Sequence, residues 1–291
     1  MQPLGKLISI GGSVDKGTEP ENHYKSHSNI HFFALSILKR IVAEIDDENP
    51  IIEIITTASS IPEEVGQSYI EAFGRVGNNR PQLLHIRNRE EAMLDENTER
   101  IRKADAVMFT GGNQLRLTSI FGGTDIMKVL HERYQHEAGF VIAGTSAGAM
   151  AMSNTMIYQG SSHEALLKGE VKITTGLAFM KDVIIDSHFV QRGRFGRLAQ
   201  AVASNPACIG IGLGEDTAVV VTAGHHLEAI GSGLIVVVDG HEMRHTNITE
   251  IPDGTPVSIE RLLVHIMAQG DVYDLNIRKF SGKRLEVQAA E

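Results

Sequence analysis

The chain alternates short, continuously apolar runs with longer segments whose apolar positions recur every three to four residues. The first kind reads as buried strand, the second as amphipathic helix. Strands are expected over residues 6–10, 50–57, 82–86, 106–109 and 139–143. Helices are expected over residues 28–45, from Ile61-Pro62-Glu63-Glu64 onward, and over 97–103, 114–121 and 124–135. Pro62 and the two acids after it suit a first helical turn, where a missing N–H costs nothing and negative charge meets the partly positive helix end. A β-α-β-α rhythm of this kind implies a parallel sheet with helices on both faces.

The pattern changes in the second half. Residues 171–175, 183–187, 209–214, 217–222 and 234–239 read as short strands, Gly224-His225 as a turn, and 259–268 as a last helix. The strand crowding after residue 207 suggests hairpins added to the main sheet. No Pro/Ser-rich linker and no internal repeat interrupts the chain. One domain over residues 1–291 is therefore expected, of α/β class, with a doubly wound, mostly parallel sheet and extra C-terminal hairpin strands.

Composition narrows the function. Of 291 residues, 42% are hydrophobic and 22% charged, as in an ordinary soluble globular protein. No apolar run is long enough for a membrane span, and the first residues enter a strand pattern without a signal-peptide core, so a cytoplasmic location is expected. The net charge of −9 argues against nucleic acid as a partner. Cys208 is the only cysteine, which excludes an internal disulfide and a cysteine metal cluster. His23, His27 and His31 are spaced by four but lack the glutamate of an H-E-x-x-H pattern, so no metal is expected. The glycine-rich loops have neither the Walker lysine nor G-x-G-x-x-G, so no nucleotide cofactor is expected either.

The chemistry concentrates at residues 142–150. Gly144-Thr-Ser-Ala-Gly148 fits the G-x-S-x-G nucleophile elbow, between an apolar strand and a small-residue helix, the context that pattern requires. Ser146 is the candidate nucleophile. Thr110-Gly-Gly-Asn-Gln114, one strand–helix unit earlier, is a candidate oxyanion loop, with Gly112 N–H and Ala147 N–H as donors. A serine needs a base, and the base needs an acid to orient it. Among thirteen histidines, His188 ends a β-branched strand and lies on the same rim as Ser146. The acid stays open between Glu215, in a glycine-flanked bend, and Glu164. Asp186 shares the strand face of His188, and Arg192, Arg194 and Arg197 follow within two helical turns, a spacing that suits carboxylate binding.

Taken together, Phe109-Thr-Gly-Gly-Asn-Gln-Leu-Arg-Leu-Thr-Ser119, Gly144-Thr-Ser-Ala-Gly-Ala149, Asp186-Ser-His-Phe189, Gln191-Arg-Gly-Arg194 with Arg197, and Gly212-Leu-Gly-Glu-Asp-Thr-Ala218 resemble the serine peptidase family of cyanophycinase and aspartyl dipeptidase E. The resemblance runs from about residue 5 to residue 275. It implies a flavodoxin-like fold similar to class I glutamine amidotransferases, no cofactor, and a homodimer. It implies Ser146 as nucleophile, His188 as base, and Glu215 as acid by the cyanophycinase pattern or Glu164 by analogy with the dipeptidase. It implies cyanophycin or β-aspartyl peptides as substrate, held by Gln114, Asp186, Ser187, Arg192, Arg194 and Arg197. Ser187 departs from the family, which often has glutamine there.

Overall fold

Both faces of β1 (Lys6–Ile10) are covered, so it is apolar at nearly every position and buried from Leu7 onward. It is the first strand of a computed structural model that describes residues 2–16 and 36–282. The expected helix over residues 28–45 is present as α1 (Ser36–Ala43), which buries Ile37, Leu38 and Ile41. Residues 28–35, and the spaced His23, His27 and His31, lie outside the described residues.

The alternation then follows the sequence closely: β2 (Ile51–Ile55), α2 (Pro62–Gly74), β3 (Arg80–Leu84), α3 (Asp95–Lys103), β4 (Ala106–Phe109), α4 (Gln114–Phe121), α5 (Asp125–His136), β5 (Val141–Thr145) and α6 (Ala147–Ala151). The second half contributes β6 (Thr155–Gln159), β7 (Lys172–Thr175), β8 (Val183–Asp186), α7 (Phe195–Ser204), β9 (Ile209–Leu213), β10 (Thr217–Thr222) and β11 (His226–Gly231). It ends with β12 (Ile235–Asp239), β13 (His245–Thr246), β14 (Ile259–Glu260), β15 (Leu263–Met267), β16 (Val272–Asp274) and β17 (Lys279–Ser281).

Nine strands form the main sheet in the order β17-β16-β11-β10-β1-β5-β4-β2-β3. From β1 to β3 all neighbours are parallel; β10, β11, β16 and β17 extend the sheet antiparallel beyond β1. This is the mixed α/β, flavodoxin-like arrangement expected, and the C-terminal hairpins are added to it.

Two features differ from expectation. β8, β9, β12 and β15 do not join the main sheet; they form a second, four-stranded one. The bend at Gly214-Glu215-Asp216 carries the chain from β9 in the smaller sheet to β10 in the larger. Residues 259–268, expected to be helical, are instead β14 and β15. β15 pairs along its whole length with β12, from Ile235↔Met267 to Asp239↔Leu263. Its side chains alternate between half-buried and exposed, the period of a strand with one covered face.

One buried cluster joins the two sheets. It contains Leu7, Val107, Ile142 and Val219 from the larger, and Ile185, Ile211, Val237 and Met267 from the smaller. α7 lays Leu198, Ala201 and Val202 over the outer face of the small sheet, against Ile184, Phe189 and Val238. Among the described residues no helix is long and apolar enough to cross a membrane. The carboxyl ends of β1, β4, β5 and β8 converge on one rim, the position where open α/β sheets bind ligands.

Candidate active site

Ser146 stands between β5 and α6 with φ 51° and ψ −111°, a conformation that side-chain-bearing residues rarely adopt. Close packing enforces the turn. A Cβ on Gly144 would lie 2.6 Å from the carbonyl carbon of Gly148, and one on Gly148 would overlap the carbonyl oxygen of Phe109. Only glycines at both places let β5, the turn and α6 approach β4. The strain holds the Ser146 side chain out on the rim. Its main chain is fixed by a 2.9 Å hydrogen bond from its N–H to the Ile10 carbonyl.

The glycine-rich loop 110–114, the candidate oxyanion loop, packs beside the turn that carries Ser146. Gly112 has φ 139°, and a Cβ there would overlap the Ala58 carbonyl. Asn113 donates its N–H to that same carbonyl at 2.9 Å, and its side chain caps α4 by accepting the Leu115 N–H. The loop comes right up to the serine: a Cβ on Gly111 would stand 3.3 Å from Ser146 Cβ and 3.8 Å from Oγ. Ala147, on the other side, is the first residue of α6.

His188 follows β8, also in a left-handed conformation, with φ 48°. Its Nε2 is 3.0 Å from Ser146 Oγ and its Nδ1 is 2.6 Å from Glu215 Oε1. The geometry thus brings together Ser146, His188 and Glu215. Glu164 stands apart, on an exposed loop between β6 and β7 where its carbonyl accepts the Leu167 N–H. Burial, which disfavours the charged imidazolium, holds His188 below the ordinary histidine value. Glu215 opposes that by hydrogen bond and charge, and Arg192 and Arg194 reinforce it. A neutral imidazole with Nδ1–H on Glu215 presents a lone pair at Nε2 to the serine hydroxyl.

Asp186 is fully buried two residues before His188, and its carboxylate is occupied. Arg197 binds both of its oxygens, Nε to Oδ2 at 2.5 Å and Nη2 to Oδ1, while Arg194 Nη1 reaches Oδ1 at 3.1 Å. Arg197 also donates to the Gly160 carbonyl at 3.3 Å, and Arg194 to the Ser187 carbonyl at 2.7 Å. Two guanidinium groups on one carboxylate leave a net positive charge beside His188. Arg197 is buried, Arg194 is half-buried at the rim and Arg192 is exposed. Ser187 turns inward, its hydroxyl 3.2 Å from Met150 Sδ. Gln114 donates its amide to the Ile157 carbonyl at 2.9 Å, tying α4 to β6.

Gln191 has a role that sequence reasoning does not assign. Its side-chain oxygen accepts the Glu215 N–H at 3.1 Å, so one residue on the turn after His188 holds the loop that carries Glu215. Its signal in the sequence is the spacing of three from His188. Among the described residues no group of three or more histidines, cysteines and acids is placed to hold a metal.

The chain matches the model of peptidase family S51 over residues 26–229. It belongs to peptidase family S51. The S51 assignment agrees with curated relatives. The chain is 35% identical over 269 residues to a cyanophycinase of Trichormus variabilis, covering 92% of this chain and 85% of that protein. It is 34% identical to a cyanophycinase of Geminocystis herdmanii, covering 92% and 93%. Among solved structures, a peptidase from an acI-B1 actinobacterium superposes with a TM-score of 0.66 at 20% identity, covering 94% of this chain and 98% of that one. A putative peptidase E from Listeria monocytogenes superposes with a TM-score of 0.50 at 17% identity, over 79% and 99%. The last two support the fold. With the S51 family shown, the protein is a serine peptidase.

Proposed function

We propose that this serine peptidase hydrolyses cyanophycin, multi-L-arginyl-poly-L-aspartate, to β-Asp-Arg dipeptides through an acyl-enzyme on Ser146. The observation that carries the reading is the continuous contact Glu215–His188–Ser146, at 2.6 and 3.0 Å. Relatives that bear the cyanophycinase name at up to 35% identity supply the substrate class.

In the first step Ser146 Oγ attacks the backbone carbonyl of an aspartyl residue, and His188 Nε2 takes the hydroxyl proton. Gly112 and Ala147 N–H groups receive the negative charge that develops on the carbonyl oxygen. The C–N bond then breaks, His188 returns the proton to the leaving amine, and an ester to Ser146 remains. Water, deprotonated by the same imidazole, attacks that ester and releases the acid product. Arg192 and Arg194, with Arg197 and Asp186 beneath them, place positive charge where a substrate carboxylate ends. Gln114 and Ser187 are engaged within the protein, one by the Ile157 carbonyl of β6 and the other, buried, by Met150, so neither is assigned a substrate contact.

Purified protein is incubated in parallel with cyanophycin and with Asp-X dipeptides, and products are identified by mass spectrometry. Release of β-Asp-Arg from the polymer, absent with Ser146→Ala, is expected. Cleavage of Asp-X dipeptides alone would replace the polymer substrate with a dipeptidase activity. No product from either would overturn the substrate class.

A further inference from the structure

The three proposed catalytic residues reach the rim from different places. Ser146 follows β5 of the large sheet, His188 follows β8 of the small sheet, and Glu215 lies in the bend between the two. Within the large sheet the ladders of β1 with β5 and β10 run on past the end of β1 and fix Ser146 and Asp216 relative to each other. The segment Ile10-Gly11-Gly12, where β1 ends, carries these bonds, and its Gly11 carbonyl reaches across the seam to His188.

Three consecutive carbonyls of this segment are taken by the three catalytic segments. Ile10 accepts the Ser146 N–H at 2.9 Å, Gly11 the His188 N–H at 2.7 Å, and Gly12 the N–H of Asp216, next to Glu215, at 2.9 Å. Gly11 also donates to the Thr217 carbonyl at 2.9 Å. Each bond fixes backbone rather than side chain, and two of the acceptor residues have no side chain to spare. A Cβ on Gly11 would overlap the Gly214 carbonyl and lie 2.6 Å from that of Leu213. Gly12 has φ 109°, and a Cβ on it would clash with the His188 ring, 2.3 Å from Cε1 and 2.5 Å from Nε2. The Cε1 and Nε2 atoms of the ring therefore pack directly against the main chain of Gly12, which limits where the imidazole can sit beside Ser146.

We infer that Ile10-Gly11-Gly12 is a main-chain gauge that sets the Ser146–His188–Glu215 geometry across the seam, with Gly12 as the positioning residue for the imidazole. The inference rests on the proposed catalytic roles of those three side chains. Gly12 touches no substrate in this scheme; it acts through His188. A displaced imidazole loses transition-state alignment while ground-state binding of the peptide is kept, and a misplacement of about 1 Å costs on the order of a hundredfold in rate.

The test is Gly12→Ala in the full chain, beside Ser146→Ala and His188→Ala. Two readouts are needed. One is kcat and KM on cyanophycin. The other is the downfield proton resonance of imidazole Nδ1–H bonded to Glu215, assigned by its loss in His188→Ala, which needs no substrate. Gly12→Ala is expected to lower kcat about a hundredfold, to change KM less than about twofold, and to shift or erase that resonance while the protein stays folded. A folded Gly12→Ala with wild-type kcat and an unmoved resonance would overturn the inference. Should Gly12→Ala unfold alone, adding His188→Ala removes the ring it strikes and is expected to restore folding. A double variant no more stable than Gly12→Ala would overturn the ring contact as the reason for the glycine. Activity retained by Ser146→Ala would overturn the catalytic reading instead, and the resonance would still report on Gly12.

Discussion

His188 Nδ1 and Glu215 Oε1 meet at 2.6 Å although they belong to different segments of the seam between two sheets. The bond selects the tautomer in which Nε2 faces Ser146, and it stabilises the imidazolium that forms when the serine proton moves. Glu215→Gln keeps the shape and removes the charge. We predict a loss in kcat of about a thousandfold or more, the scale of orienting-acid substitutions in serine hydrolases. Because Glu215 raises the proton affinity of His188, its removal lets that affinity fall further. The acid limb of kcat/KM then moves to lower pH. A limb that moves upward would contradict the assignment.

Arg192 acts on the same titration with the opposite sign. Its positive charge disfavours the imidazolium and lowers the His188 pKa. Arg192→Ala is therefore predicted to raise that pKa and move the acid limb of kcat/KM to higher pH. Arg192 is exposed, so the effect shrinks as ionic strength rises. pH–rate profiles at low and high salt check both the sign and the screening.

The elbow is legible in the sequence because its demands are local. Gly144 and Gly148 are dictated by contacts within one strand–turn–helix unit and the neighbouring strand, and such contacts leave a short pattern in the chain. The acid is not legible in this way. Glu215 and Glu164 both lie in polar loops, and what separates them is the bend from β9 to β10, which joins two sheets with no sequence period of its own. Residues 259–268 mislead for a related reason. Leu262, Leu263, Ile266 and Met267 fall at helical as well as strand spacings, and only pairing with β12 decides between them. The arginines after His188 stand out as a cluster suited to carboxylates. A short run of arginines carries no mark, however, that the carboxylate two of them bind is the protein's own Asp186.

That carboxylate makes Asp186 the most costly polar residue of the site to alter. Its side chain is wholly buried and binds two guanidinium groups. Replacing one partner of a buried ion pair leaves the others uncompensated, at a cost of about 3–5 kcal/mol. Asp186→Asn is predicted to lose stability on that scale in urea unfolding with an unchanged slope. A loss below about 1 kcal/mol would show that the arginines find other acceptors or water.

Strain at Ser146, the proposed nucleophile, separates stability from activity. Ser146 holds φ 51° and ψ −111°, where a Cβ is crowded by the main chain. Such conformations cost about 1–3 kcal/mol and persist only when the surrounding structure enforces them. Ser146→Ala keeps the Cβ and therefore the strain; it is predicted to lower kcat about a thousandfold or more with little change in unfolding temperature. Ser146→Gly removes the Cβ. It relieves the strain and gives back about 0.5–1 kcal/mol through the greater freedom of glycine in the unfolded chain. The net gain of about 1 kcal/mol corresponds to a rise of about 2–4 °C in a chain of this size. Calorimetry on the two variants distinguishes the cases. An alanine variant as stabilised as the glycine one would mean that the hydroxyl, not the backbone, carries the strain.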